Sequence, residues 1–217
     1  MRRIDEDIMQ IRRLILRMGA MVEDRLESAL TALLTRDVEL ASIVAESDDV
    51  IDKLEVDIDL FCTNLIALKQ PAAKDLRFVF TAVKITTDLE RAGDLIVSIS
   101  ERIKGLCQES PLKPYVDLPR MVEWVKTMIH KSLDAFFEGD VKLAKNVIQD
   151  DQIIDDLNIQ LFRELLTFMM ENPKNIKKSL FLSFISKSLE RIGDHATNIA
   201  EMVIFMVEGT DVRHKTS

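Results

Sequence analysis

The amino-acid sequence predicts an all-α protein built as two tandem, similar three-helix bundles. Three observations carry that reading. Apolar residues recur at helical spacing almost everywhere, Gly and Pro number only 6 and 5 in 217 residues, and the two halves repeat. Strand-type alternation is scarce and aromatics make up 6% of the chain, so a strand-rich fold is not expected. The length suffices for one large domain or two small ones with a real core.

Six helices are expected in order. The first covers Asp5–Thr35 and the second Val38–Lys69. A break at Gln70–Pro71 separates the second from the third, Ala72–Cys107. The fourth covers Leu118–Glu138 and the fifth Val141–Met170. A second break, at Asn172–Pro173, precedes the sixth, Lys174–Val207. Both breaks have one cause: proline disfavours helical geometry in the residue before it. Helices of this length fit an extended bundle better than a globin-like fold. Pro111-Leu-Lys-Pro114, followed by Pro119, marks the linker, so the expected units are 1–110 and 116–217 with a junction around 110–116.

The repeat is explicit. Leu89-Glu-Arg-Ala-Gly-Asp94 matches Leu189-Glu-Arg-Ile-Gly-Asp194 at an offset of one hundred, and the match continues with Ile99 and Ile199, Glu101 and Glu201. Upstream, Asp37-Val-Glu-Leu-Ala41 matches Asp140-Val-Lys-Leu-Ala144, and Asp48-Asp-Val-Ile-Asp52 matches Asp151-Gln-Ile-Ile-Asp155. Pro71 matches Pro173.

The net charge of −8 argues against a reader of nucleic-acid backbones. The arginines at 2, 3, 12, 13 and 17 are interleaved with Asp5, Glu6 and Asp7, the pattern of a solvated first helix. No signal peptide is visible and no run approaches the roughly 18 apolar residues that cross a bilayer. Cys62 and Cys107 have no metal-type spacing and read as buried, reduced thiols of a cytoplasmic protein.

On a helical wheel with Glu90 at zero, Asp94 lies about 40° away and Glu101 about 20° away. Ile85, Leu89, Ala92, Ile96, Ile99 and Ile103 fall on the opposite side. Glu190, Asp194 and Glu201 oppose Ile192, Ala196, Ile199 and Val203 in the same way. The second helix aligns Asp48, Asp52, Glu55 and Asp59; the fifth keeps Asp151 and Asp155, with Asn158 and Phe162 at the later positions. The carboxylates are therefore expected outside the hydrophobic seam.

One acidic stripe is ordinarily a solvated face. Like charges at i, i+4 cost a few tenths of a kcal/mol per pair, and here such pairs stand at matching places in both halves. Where two such helices are neighbours, four carboxylates converge, and the cluster either repels itself or binds a cation. All-oxygen ligation suits hard cations, and carboxylate-bridged multinuclear iron is an alternative. His195 lies about 100° from Asp194 and points off the stripe; His130 and His214 have no matching partner. Arg91 and Arg191 are placed for i, i+3 pairing with Asp94 and Asp194, or to orient those carboxylates. Gly93 and Gly193 imply close approach of a neighbouring helix. Ferritin-like di-iron sites use inward Glu-x-x-His pairs, and no Glu stands three residues before any His here. A carboxylate-bridged metal enzyme and a metal-free helical scaffold are the rival readings.

Gln70-Pro-Ala-Ala-Lys-Asp-Leu-Arg77, the two Leu-Glu-Arg-x-Gly-Asp segments, Asn198-Ile-Ala-Glu201 and the repeated D-x-x-x-D elements together resemble the PhoU family of bacterial phosphate-signalling regulators. The resemblance spans essentially the whole sequence. It implies two three-helix bundles and surface acidic motifs able to bind metal, with iron, zinc or another divalent ion as candidates. Asp48, Asp52, Glu90 and Asp94 would serve one site, and Asp151, Asp155, Glu190 and Asp194 the other. It further implies a non-enzymatic negative regulator of the phosphate-starvation response. Such a regulator links the ATPase component of a phosphate ABC transporter to a sensor histidine kinase, reaches the inner face of the membrane through these partners, and is often a homodimer. The first half departs from the family pattern, with Ser98-Ile-Ser-Glu101 and Ala92 where Asn-x-Ala-Glu and Ile are usual, so equal affinity of the two sites is not implied.

Overall fold

A computed structural model of the chain describes residues 3–47 and 49–210. Asp48, Arg2 and His214 lie outside the described residues. Seven α-helices follow one another: α1 (Arg3–Thr35), α2 (Val38–Glu46), α3 (Asp49–Lys69), α4 (Ala73–Cys107), α5 (Asp117–Glu138), α6 (Val141–Glu171) and α7 (Ile176–Glu208). A 3-10 turn at Pro173–Asn175 leads into α7, and no strand occurs among the described residues.

The helix starts have local causes. Asp37 and Asp140 occupy equivalent N-caps: Asp37 accepts from the Leu40 N–H at 2.9 Å, and Asp140 from those of Lys142 and Leu143 at 2.8 and 3.0 Å. The residue before each cap takes the left-handed conformation that ends the preceding helix, Arg36 at φ 59° and Gly139 at φ 71°.

One expected element is corrected. The helix expected over Val38–Lys69 is two helices, broken at Ser47. The Ser47 N–H and hydroxyl both turn back to the Val44 carbonyl, at 3.3 and 2.8 Å, which closes a short turn in place of the helical ladder. At the equivalent place α6 has Asp150, which reaches outward to Lys131 at 2.7 Å, and α6 runs unbroken.

The core follows the wheel. Ile11, Ile15, Met18, Val22, Leu26, Ala29 and Leu33 of α1 are buried at helical spacing, as are Ile85, Leu89, Ala92, Ile96, Ile99 and Ile103 of α4. Helices α1, α2 and α3 pack on α4, while α5 and α6 pack on α7. Helices α4 and α7 lie against each other, antiparallel. Phe80 meets Phe205 edge-on with centroids 6.4 Å apart, Asp88 meets His195, and the Arg102 guanidinium lies 5.3 Å from the Phe184 ring centre.

The ends of this pair are tied reciprocally. A Cβ on Gly209, at the C-terminus of α7, would stand 4.0 Å from the Arg77 guanidinium carbon. At the other end, Lys177 and Lys178 of α7 bond the Glu109 carboxylate (2.9 Å) and the Ser110 carbonyl (3.3 Å) beyond α4. Arg77 and Lys177 are repeat-equivalent, and each is a cation placed near the C-terminal end of the other repeat's long helix. Helices α1 and α5 also cross closely, because Gly19 offers no side chain. A Cβ there would come within 2.0 Å of Leu133 Cδ1.

Candidate functional site

The acidic residues singled out by the wheel lie on two packed helix pairs, α3 with α4 and α6 with α7. In the first repeat Asp52, Glu55 and Asp59 of α3 are half-buried, Glu90 of α4 is half-buried, and Asp94 is exposed. Burial pushes the Glu55 carboxyl up, with repulsion from Asp59 and Asp52 adding to it and Arg91 opposing. Burial alone pushes Asp59 up. Arg91 thus acts across the helix pair on Glu55.

The second repeat is tighter. Asp151 is pushed up to about 6 by burial first, then by the charges of Asp194, Asp155 and Glu190. Burial followed by the Glu190 charge raises both Asp155 and Asp194. The four carboxylates expected here are therefore neighbours that repel one another. Glu190 departs from the wheel. It is only 9% exposed, and its Oε2 is buried with no hydrogen-bond partner among the described residues. The Lys187 ammonium, one turn earlier, binds its other oxygen, Oε1. The neighbouring helix expected at Gly93 and Gly193 is present: Ile51 of α3 lies over the first and Asp151 of α6 over the second.

The donor chemistry of the second cluster fits a hard cation, since all its donors are carboxylate oxygens and a cation would relieve their mutual repulsion. Among the described residues, however, no three His, Cys, Asp or Glu side chains are placed to hold an ion as they stand. Ion binding would require side-chain rotation to bring three of these carboxylates together.

His195 points away from the acidic stripe, as its wheel angle predicts. Its Nδ1–H donates to Asp88 Oδ1 at 2.8 Å, and the Asn198 amide donates to the same oxygen at 3.2 Å. Asp88 escaped the sequence reading because the repeat does not duplicate it: Ser188 stands at its counterpart. That mismatch between the halves was the available signal.

A family model described as the PhoU domain matches residues 15–103 and again residues 118–203. The chain belongs to the PhoU family. A PhoU homolog from Aquifex aeolicus, named a phosphate-specific transport system accessory protein, is 43% identical over 201 residues, 93% of this chain and 91% of its own. The homolog from Pseudomonas aeruginosa is 42% identical over 96% of this chain and 86% of its own. The crystal structure of PhoU from that organism superposes with a TM-score of 0.91 at 40% identity, covering 96% of this chain and all of the other. The phosphate transport system regulatory protein PhoU from Streptococcus pneumoniae gives a TM-score of 0.89 at 27% identity, over 97% and 99% of the two chains. The tandem, all-α PhoU architecture is therefore that of this chain. No helix among its described residues is long and apolar enough to cross a membrane.

Proposed function

We propose that this PhoU-family chain is an accessory regulator of a phosphate-specific transport system that represses the phosphate-starvation response when phosphate is plentiful. It acts by contact, joining the transporter ATPase to a sensor histidine kinase, and reaches the inner face of the membrane through them as a homodimer. It performs no catalysis. The observation that carries this reading is the near-full-length match to relatives named as accessory proteins of phosphate transport. The acidic clusters are partly open to solvent, with Asp94 and Asp194 exposed, which suits a bound cation or a contact better than an enclosed reaction.

Metal enters as a surface element of that role. Asp151, Asp155, Glu190 and Asp194 would hold one hard cation or cluster, of iron, zinc or another divalent metal. Asp52, Glu90 and Asp94, with Asp48, would hold a second. The metal would supply charge neutralisation and cross-linking of two helices. Deletion of the gene in its host tests the regulatory role: phosphate-starvation genes are expected to be expressed in high phosphate and silenced again by the wild-type copy. An unchanged response in the deletion strain overturns it.

A further inference from the structure

A groove that neither acidic cluster uses runs along the start of α4. The end of α3, α4 and the end of α7 enclose about 600 Å³, walled by Ile66, Leu76, Val79, Phe80, Val83 and Phe205. Three of these are large and solvent-facing: Phe80 is 51% exposed, Leu76 44% and Ile66 41%. Isolated exposed apolar residues are ordinary, whereas several around one concave site mark a contact surface.

The charge along the groove has one sign on its α4 wall. Arg77 and Lys84 stand beside it, and the only acid between residues 73 and 87, Asp75, is buried on the far side of α4. The Lys84 ammonium lies 5.6 Å from the Phe80 ring centre, so it sits at the groove itself. Arg77 lines the groove, with its Nε buried and lacking a hydrogen-bond partner among the described residues. On the α7 wall, Glu208 is paired with Lys145 at 3.8 Å and Glu201 is already engaged within the chain. Two cations beside an apolar floor set this wall apart on a chain of net charge −8.

We propose that this groove docks an acidic amphipathic helix of a partner protein. Such a helix would set apolar side chains at i, i+4 and i+7 among Leu76, Phe80 and Phe205, with Asp or Glu on its flank facing Arg77 and Lys84. A helix fits because the groove follows a helix whose backbone is already hydrogen-bonded, so side chains rather than strand addition must supply the contact. The stretch from Ala73 to Lys84 is about 16 Å long at 1.5 Å per residue, which accommodates roughly three turns of the partner. The groove would serve the contact role proposed above, but its test does not depend on that role.

The probe is a fluorescein-labelled helical peptide of about 14 residues, with Leu and Phe on one face and Glu on the flanks, titrated with the full chain by fluorescence anisotropy. A second peptide carries Lys in place of Glu. The acidic peptide is expected to bind at least about tenfold more tightly than the basic one, and to weaken with salt. Phe80→Ser and the charge reversal Lys84→Glu should each weaken it by at least about tenfold with unaltered circular dichroism. Leu180→Ser, at the repeat-equivalent of Phe80, should leave it unchanged. Equal affinity for the two peptides, or variants that bind like wild type, overturns the proposal. So does a dimer that becomes monomeric in sedimentation equilibrium with Phe80→Ser, because the occupant would then be a second copy of this chain.

Discussion

On α3 the acidic face runs through Asp52, Glu55 and Asp59. On α6 the same face holds Asp151 and Asp155, then turns to Asn158 and Phe162. The later positions of α6 have been given to other work: Asn158 accepts the Ser186 hydroxyl at 2.6 Å, and Phe162 is exposed. The charge kept by the second repeat is gathered at one level, where burial pushes Asp151, Asp155 and Asp194 up and the Glu190 charge adds to it. The first repeat spreads its charge along the helix. The partners differ as well. Lys187 answers Glu190, whereas its repeat-equivalent, Thr87, offers Glu55 only a hydroxyl. Asp88 and His195 bond across α4 and α7, and their equivalents, Ser188 and the buried apolar Leu95, cannot. Duplication thus supplied one scaffold, and the two copies have diverged in how each acidic face is charged and in what each brings to the contact between α4 and α7.

The largest expected effect breaks the comparison at Asp88. Its carboxylate and His195 are only 14% and 13% exposed, and one oxygen serves two donors. Asp88→Ala leaves the imidazole and the Asn198 amide to find other partners, at a cost of about 2 kcal/mol. Ser188→Ala, at the equivalent position, should stay within about 0.5 kcal/mol. Urea denaturation of both variants measures the difference. If the two changes cost the same, the divergence of the α4–α7 contact has no energetic content.

Next comes the gathered charge. The Asp151 carboxyl is raised from 3.8 to about 6. A carboxyl with a raised folded-state value binds its proton more tightly in the native protein. Its contribution to stability is then complete below about pH 4 and is lost as pH rises through about 6. A shift of about two units corresponds to about 3 kcal/mol, which partial exposure reduces to about 1.5 kcal/mol. In chelator-treated protein, Asp151→Asn should therefore match wild type near pH 4 and exceed it by that amount at pH 7. Glu55→Gln should move stability in the same direction. Added iron or zinc should stabilise wild type more than Asp151→Asn, by about 1.4 kcal/mol at a tenfold excess over Kd. Parallel stability–pH curves for wild type and Asp151→Asn would mean that the second cluster is no more strained than an ordinary acidic face.

Particular residues show what could be read from the sequence. The buried row of α4 was visible because helical periodicity records the core directly, and Pro71 and Pro173 marked breaks with a local cause. The split at Ser47 was not visible, because a serine serves equally well on a helix surface and in a turn; the Val44 carbonyl decides between them. Wheel angles placed His195 off the acidic stripe but could not supply its partner, which comes from the other repeat. Glu190 was expected outside the seam and is nearly buried, because α6 covers a flank that the wheel of α7 alone leaves open. The basic groove of α4 was equally hidden: Phe205 reaches it from the far end of the chain.

The smallest effect concerns the two left-handed residues that end α1 and α5. Both ends have the same backbone: the Asp37 N–H reaches the Ala32 carbonyl and the Asp140 N–H the Ala135 carbonyl, each at 3.0 Å. Gly139 takes its φ of 71° freely, whereas Arg36 at φ 59° costs about 1 kcal/mol. The arginine offsets this with its side chain. Nη2 donates to the carbonyls of Cys107 and Glu109, at 2.7 and 2.6 Å, and so caps the C-terminus of α4 with a positive charge. Arg36→Gly relieves the backbone and removes both bonds, for a net loss of about 1 kcal/mol. Arg36→Ala keeps the backbone cost and loses the bonds, so it should be less stable than Arg36→Gly by about a further 1 kcal/mol. Thermal denaturation ranks the three proteins. If Arg36→Gly proves more stable than wild type, the cap on α4 is worth less than the strain that holds it, and the glycine of the second repeat is simply the better solution.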